Sequence, residues 1–134
     1  MIDCENEIYN LIATKTKATF PNISMASEYV NNPARFPHSS VVEEDYSTYS
    51  RTSTSSSGEN HADVMFEVNT YSNKQSGKKS ECKDIAKFIH DMFISLGFEC
   101  TYFRPIPNMD DNTIYRIVGR YRAVISKDRK VFRR

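Results

Sequence analysis

The chain has 134 residues, with 18 Lys and Arg against 17 Asp and Glu for a formal net charge of +1, and 39% hydrophobic residues that include eight Tyr, eight Phe and no Trp. That length suits one domain with a single core that needs neither disulfides nor a metal, and the aromatic content excludes a disordered chain. No run of about eighteen apolar residues occurs, so no membrane-spanning segment is expected.

Cys4, Cys82 and Cys100 are odd in number, widely spaced and without a CxxC or a nearby His pair. Neither a disulfide framework nor a zinc site is signalled, and a reduced, intracellular protein is expected. Met1 leads into Ile2, Asp3 and Cys4 and then an acidic amphipathic stretch, so no targeting segment is expected. The small net charge hides a polarity. Residues 113–134 hold eight Lys or Arg against the single acid Asp128, leaving ten against sixteen in the rest. Such opposed parts suit self-association or contact with a polyanion.

In chain order, Asp3 is placed to cap a first helix carrying Ile8, Leu11 and Ile12 at helical spacing, with Glu5 and Glu7 in the first turn, ending before Phe20-Pro21. Residues 22–37 suit a strand or a helical turn until Pro33 and Pro37 impose an extended course. Residues 39–45 read as a strand. Residues 46–60 are rich in Ser and Thr, lack aliphatic side chains and read as a hairpin arm or flexible loop, which either merely connects two strands or orders on a partner. From His61 to Tyr71 the pattern alternates, with Ala62, Val64, Phe66 and Val68 on one face and Asp63, Glu67 and Asn69 on the other.

The following loop has Lys74, Lys78 and Lys79 around Gly77, but its one glycine cannot form a phosphate-cradling loop. Ser76 or Ser80 is expected to cap the next helix, whose apolar stripe is Ile85, Ile89, Met92, Phe93 and Leu96 and which Gly97 ends in the left-handed conformation. His90 reads as a partly exposed surface residue, and adjacency to Asp91 prevents the two from acting as a dyad. His38 and His61 have no carboxylate or cysteine at a telling spacing. Two strands, 98–104 and 113–126, are joined by Pro105-Ile106-Pro107-Asn108 and a turn.

The last strand places Tyr115, Ile117, Gly119, Tyr121, Ala123 and Ile125 on one face, with Arg116, Val118, Arg120, Arg122 and Val124 on the other. The arginines can be a hydrated outer face, a contact for acidic groups of a neighbour, or a track for passing DNA read through phosphates. Candidate partner-contact residues are Arg116, Arg120 and Arg122, Tyr49 and Arg51 in the arm, and the acidic Glu43, Glu44 and Asp45. No catalytic, metal or cofactor constellation is expected. A nuclease using Glu43, Glu44, Asp45, Asp63 and Glu67 as metal ligands is the enzymatic alternative, and a nucleic-acid-binding module using the arginines with Lys127, Arg129, Lys130, Arg133 and Arg134 is another.

Several phrases resemble a known family: Val68-Asn69-Thr70-Tyr71-Ser72-Asn73 before a Gly/Lys loop, the helix with Ile85, Ala86, Ile89 and Met92, Leu96-Gly97-Phe98, Pro105-Ile106-Pro107-Asn108, and Ile114-Tyr115-Arg116 with Arg120-Tyr121. The layout of Phe36-Pro37 before a strand ending Val42-Glu43-Glu44 is similar too. They look like the small head-to-tail joining proteins of long-tailed bacteriophages, described as tail terminators, tail completion proteins or minor capsid proteins. The resemblance implies one α+β domain with a mostly antiparallel sheet and flanking helices, spanning residues 1–134 with an arm at 46–60 and a basic tail at 127–134. It further implies a virion protein assembled in the host cytoplasm, a homohexameric ring that caps the tail tube and joins it to the neck or connector. Other neck positions are the alternative.

Overall fold

The computed structural model describes residues 5–30, 33–48, 61–107, 113–126 and 131–132. In chain order the elements are α1 (Glu5–Thr19), β1 (Ser24–Ala26), β2 (His38–Thr48), β3 (His61–Ser72), α2 (Lys78–Ser95), β4 (Glu99–Pro105), β5 (Tyr115–Ser126) and β6 (Val131–Phe132). The strands make one mixed sheet in the order β1-β2-β3-β5-β4, with β6 also paired to β5. Among the described residues, β1 and β2 run parallel and the other pairs are antiparallel. The α+β class expected from the sequence is the class observed.

Both helices cover one face of this sheet. Ile8 and Ile12 of α1 and Ile85, Ile89 and Phe93 of α2 share a buried cluster with Val41, Ala62, Val64, Phe66, Val68, Tyr121, Ala123 and Ile125. These are the apolar halves of the alternating strands, so the period of two decides which sheet face is dry. Leu11 falls outside the stripe and is 38% exposed, whereas Ile8, Ile12, Ala13 and Thr16 point inward.

The end of α2 follows from Gly97, whose φ of 96° is open to glycine. Gly97 N–H donates to Ile94 O and Phe98 N–H to Phe93 O, both at 3.0 Å. The Phe93 and Phe98 rings then meet edge to face at 5.1 Å, completing a Schellman motif with its apolar contact. At the other end the expected serine cap is corrected. Gly77 is the N-cap at φ 88°, and no side chain caps the helix. Its left-handed backbone turns the chain from β3 into α2, a geometry that disfavours serine.

Two strand limits also differ. β2 continues to Thr48 because its pairing with β3 runs on to Ala62, three residues into the expected arm; residues 49–60 lie outside the described residues. Within the expected basic tail, Val131 and Phe132 pair with Ile125 and Val124, while Lys127, Arg129, Lys130, Arg133 and Arg134 lie outside the described residues, as does the expected cap Asp3.

Candidate assembly surface

The sheet face away from the helices is where the charged half of each strand collects. The register sets His38, Tyr71 and Arg116 in one row, Ser40, Asn69, Val118 and Arg104 in the next, and Val42, Glu67, Arg120 and Tyr102 in a third. Met65, Arg122 and Glu99 form a fourth row. The three arginines expected on this face are all there, and each meets a partner from its own chain.

Arg122 grips the Asp63 carboxylate with two N–H groups, Nε reaching Oδ1 at 2.8 Å. Arg120 Nε stands 3.6 Å from Glu67 and 4.0 Å from Glu44, close enough for charge attraction but without a hydrogen bond, and its guanidinium lies 5.2 Å from the Tyr102 ring centre. Arg116 is different. Its Nε and one terminal nitrogen donate to Asn69 Oδ1 at 3.0 and 2.7 Å, and it lies 5.7 Å from the Tyr71 ring centre. Among the described residues a neutral amide and a ring hold it, with no carboxylate in ion-pair range.

Glu67 connects these groups. Burial alone raises its carboxyl, but hydrogen bonds to the Glu44 and Asn69 side chains and the charges of Arg120 and Arg116 outweigh burial and hold it below its ordinary value. Glu44 lies on this face at a bulge. The β2–β3 register slips between Glu43 and Asp45, leaving Glu44 as the extra residue beside Arg120. Glu43 pairs with Phe66 and belongs to the helix-covered side. The backbone of Asp45 pairs with Met65. Tyr49 and Arg51 lie outside the described residues.

A pocket of about 450 Å³ opens on this face, lined by Tyr29, Val42, Glu44, Glu67, Asn69, Arg116 and Arg120. Tyr29, 56% exposed, comes from the stretch before β2 and was not singled out by sequence reasoning. The same stretch supplies Val30, whose carbonyl accepts from the Tyr71 hydroxyl at 3.4 Å. Beside it His38 and Ser40 are buried with Nε2 and Oγ unpaired, and burial pushes the His38 imidazole below its ordinary value. The unexplained signal in the sequence was Asn69, a polar residue in a run rich in Val and Phe.

His90 is partly exposed, as expected from the sequence, but its ring is engaged. Its Nδ1 is 3.0 Å from the Tyr121 hydroxyl, and its ring packs against Phe103 at 5.1 Å on the helix-covered side. Of the carboxylates proposed for a nuclease, Glu44 and Glu67 meet beside Arg120, whereas Asp63 is taken up by Arg122. Among the described residues no three His, Cys, Asp or Glu side chains converge on one point, and no helix is long and apolar enough to cross a membrane.

In comparisons with known proteins, no family model matches the chain and no curated protein does. The reading of its function therefore rests on its own residues and on the phrases described above.

Proposed function

We propose that the chain is a structural virion protein of a long-tailed bacteriophage, a ring-forming tail terminator at the head-to-tail junction. In this reading it has no catalytic role or cofactor. Its copies close a homohexameric ring that caps the tail tube and meets the neck or connector. The observation that carries the reading is the phrase set of the resemblance together with where those phrases sit: β3, the Gly77 turn, α2, the Leu96-Gly97-Phe98 stop, β4 and β5 form one contiguous unit. The charged sheet face opposite the helices is a second support, since a ring needs a surface on each copy that its own helices leave free.

Passing DNA remains a partner in this reading without sequence specificity, but the arginine face favours protein contact. Asp63, Glu67 and Glu44 already offset much of its positive charge, and phosphate binding draws on uncompensated charge. The experiment is to add the purified protein to polymerising tail tubes and view them by electron microscopy. Tubes carrying a ring at one end and halted in length are the expected result. A protein that never joins tube ends, and that is missing from purified virions, overturns the proposal.

A further inference from the structure

A second pocket, of about 630 Å³, opens where the end of α1, the approaches to β1 and β2 and the start of α2 meet. Phe20, Ile23, Phe36, Pro37 and Ile85 give it apolar walls, and an edge-to-face contact with Phe88 at 5.6 Å steadies the Phe20 ring. Its polar groups include Asn22, Asn73, Lys74 and Glu81. One Glu81 oxygen accepts from the Ser72 hydroxyl at 2.6 Å, which anchors the carboxylate, and among the described residues no cation stands in ion-pair range of it.

The chain also carries a segment shaped to fill such a pocket. Beyond the body of β4, Arg104, Pro105 and Pro107 are exposed and Ile106 is half-buried. Among the described residues Arg104 has no carboxylate in ion-pair range. We propose that Arg104-Pro105-Ile106-Pro107 of one copy docks in this pocket of the next, with the prolines against Phe20 and Phe36 and Arg104 on Glu81. This contact deepens the assembly reading above and rests on it.

The chemistry of proline selects this guest. Proline offers a carbonyl but no N–H, so a site for it needs donors, and Asn22, Asn73 and Lys74 supply them at the pocket. Each proline also holds the residue before it extended, so Arg104 and Ile106 are set in advance and little ordering is left for docking. Aromatic-lined grooves are a recurrent site for extended proline segments. The segment does not serve its own pocket, because Ile106 N–H donates to Arg116 O at 3.0 Å and keeps it at its own sheet edge.

Placement within the sheet agrees. β2 begins, β3 ends, β5 begins and β4 ends at the same end of the sheet. The pocket opens there beside β1 and β2, and the segment leaves there from β4, with β3 and β5 between them. Pocket and segment are thus level along the strands and lie toward opposite lateral edges. One copy meets the next by rotation about an axis along the strands, with no rise between copies. A heterologous contact of this kind closes a ring when the rotation divides a full turn.

The test measures the mass of the full chain in solution across concentration. The wild type is expected to self-associate, more weakly as salt rises. Arg104→Gln and Glu81→Gln, which keep polar side chains at both positions, should each weaken association about 10-fold. Together they should weaken it little further, since both remove one ion pair. A peptide of residues 103–108 in excess should also dissociate the wild type, and a scrambled peptide should not. Circular dichroism of the variants should match the wild type. A chain that stays monomeric, effects of the two substitutions that simply add, or association untouched by the peptide overturns the contact. Association that follows this pattern in a chain that never halts tail tubes would sink the assembly function and leave the contact standing, whereas tubes capped equally well by the doubly substituted chain would do the opposite.

Discussion

Tyr121 folds its ring back over Gly119: a Cβ on that glycine would stand 2.8 Å from the phenol oxygen and 3.0 Å from the ring. The missing side chain lets the ring stack flat on Phe93, with centroids 4.6 Å apart, while the hydroxyl reaches His90. Burial in this sandwich raises the phenol well above its ordinary value. A glycine inside a strand here marks a close approach between side chain and backbone.

Gly119→Ala should therefore destabilise the protein by about 1 to 3 kcal/mol, the usual cost of overpacking a filled core. Tyr121→Phe, which loses only the hydrogen bond, should cost about 1 kcal/mol. Denaturant unfolding gives both numbers. An unchanged stability in Gly119→Ala would mean that the contact at Gly119 relaxes without cost.

Removing Phe93 should cost more than either. Its ring touches Phe66, Phe98 and Tyr121 and is fully buried. Phe93→Ala is expected to cost about 3 to 5 kcal/mol. Insoluble protein or a large fall in midpoint is the expected outcome; a small change would place the core elsewhere.

The arginines should rank by what they leave behind. Arg116→Ala strands the Oδ1 of Asn69, a residue only 1% exposed, and should cost about 1 to 3 kcal/mol. Arg122→Ala, with a side chain 40% exposed, leaves Asp63 able to recruit water and should cost about 1 kcal/mol or less. The reverse ranking in urea titrations would contradict the geometry.

Acid should weaken the fold in two stages. His38 is held below its ordinary 6.5 by burial, so the unfolded chain takes up its proton first, and stability falls as pH drops below 6.5 until the folded value is reached. Glu67 is held below its ordinary 4.5, so its contribution is present above that pH and is lost as pH falls through the lower, folded value. His38→Gln should remove the first stage and spare the second. Unfolding free energies measured from neutral to acid pH in both proteins check this.

Cysteine labelling offers an independent probe of opening. The Cys82 thiol is fully buried, donates to Thr70 O at 3.2 Å and is pushed up to about 12, whereas Cys100 is half-buried at the sheet edge. In a Cys4→Ser background, Cys100 should react promptly at neutral pH and Cys82 only as fast as the protein opens. Prompt reaction of both would mean that the base of α2 is loose.

Alternation along 61–71 and 115–125 was enough to say which side chains face the helices, and the three-to-four spacing in α2 named Ile85, Ile89 and Phe93 of its buried stripe, though Met92 and Leu96 are only partly buried and Cys82 is buried beside them. Gly97 announced the helix end. These features are local: backbone geometry sets the period, and burial follows it. What the arginines touch was not legible, because Arg116 and Asn69 are 47 positions apart and Arg122 and Asp63 are 59 apart. Only the strand order that seats β5 between β3 and β4, and a register correct to the single residue, brings them together. The bulge at Glu44 is the sharpest case. Plain alternation puts Glu44 on the arginine face but cannot locate the extra residue, which shifts the pairing beyond it so that the backbone of Asp45, not Glu44, lies opposite Met65.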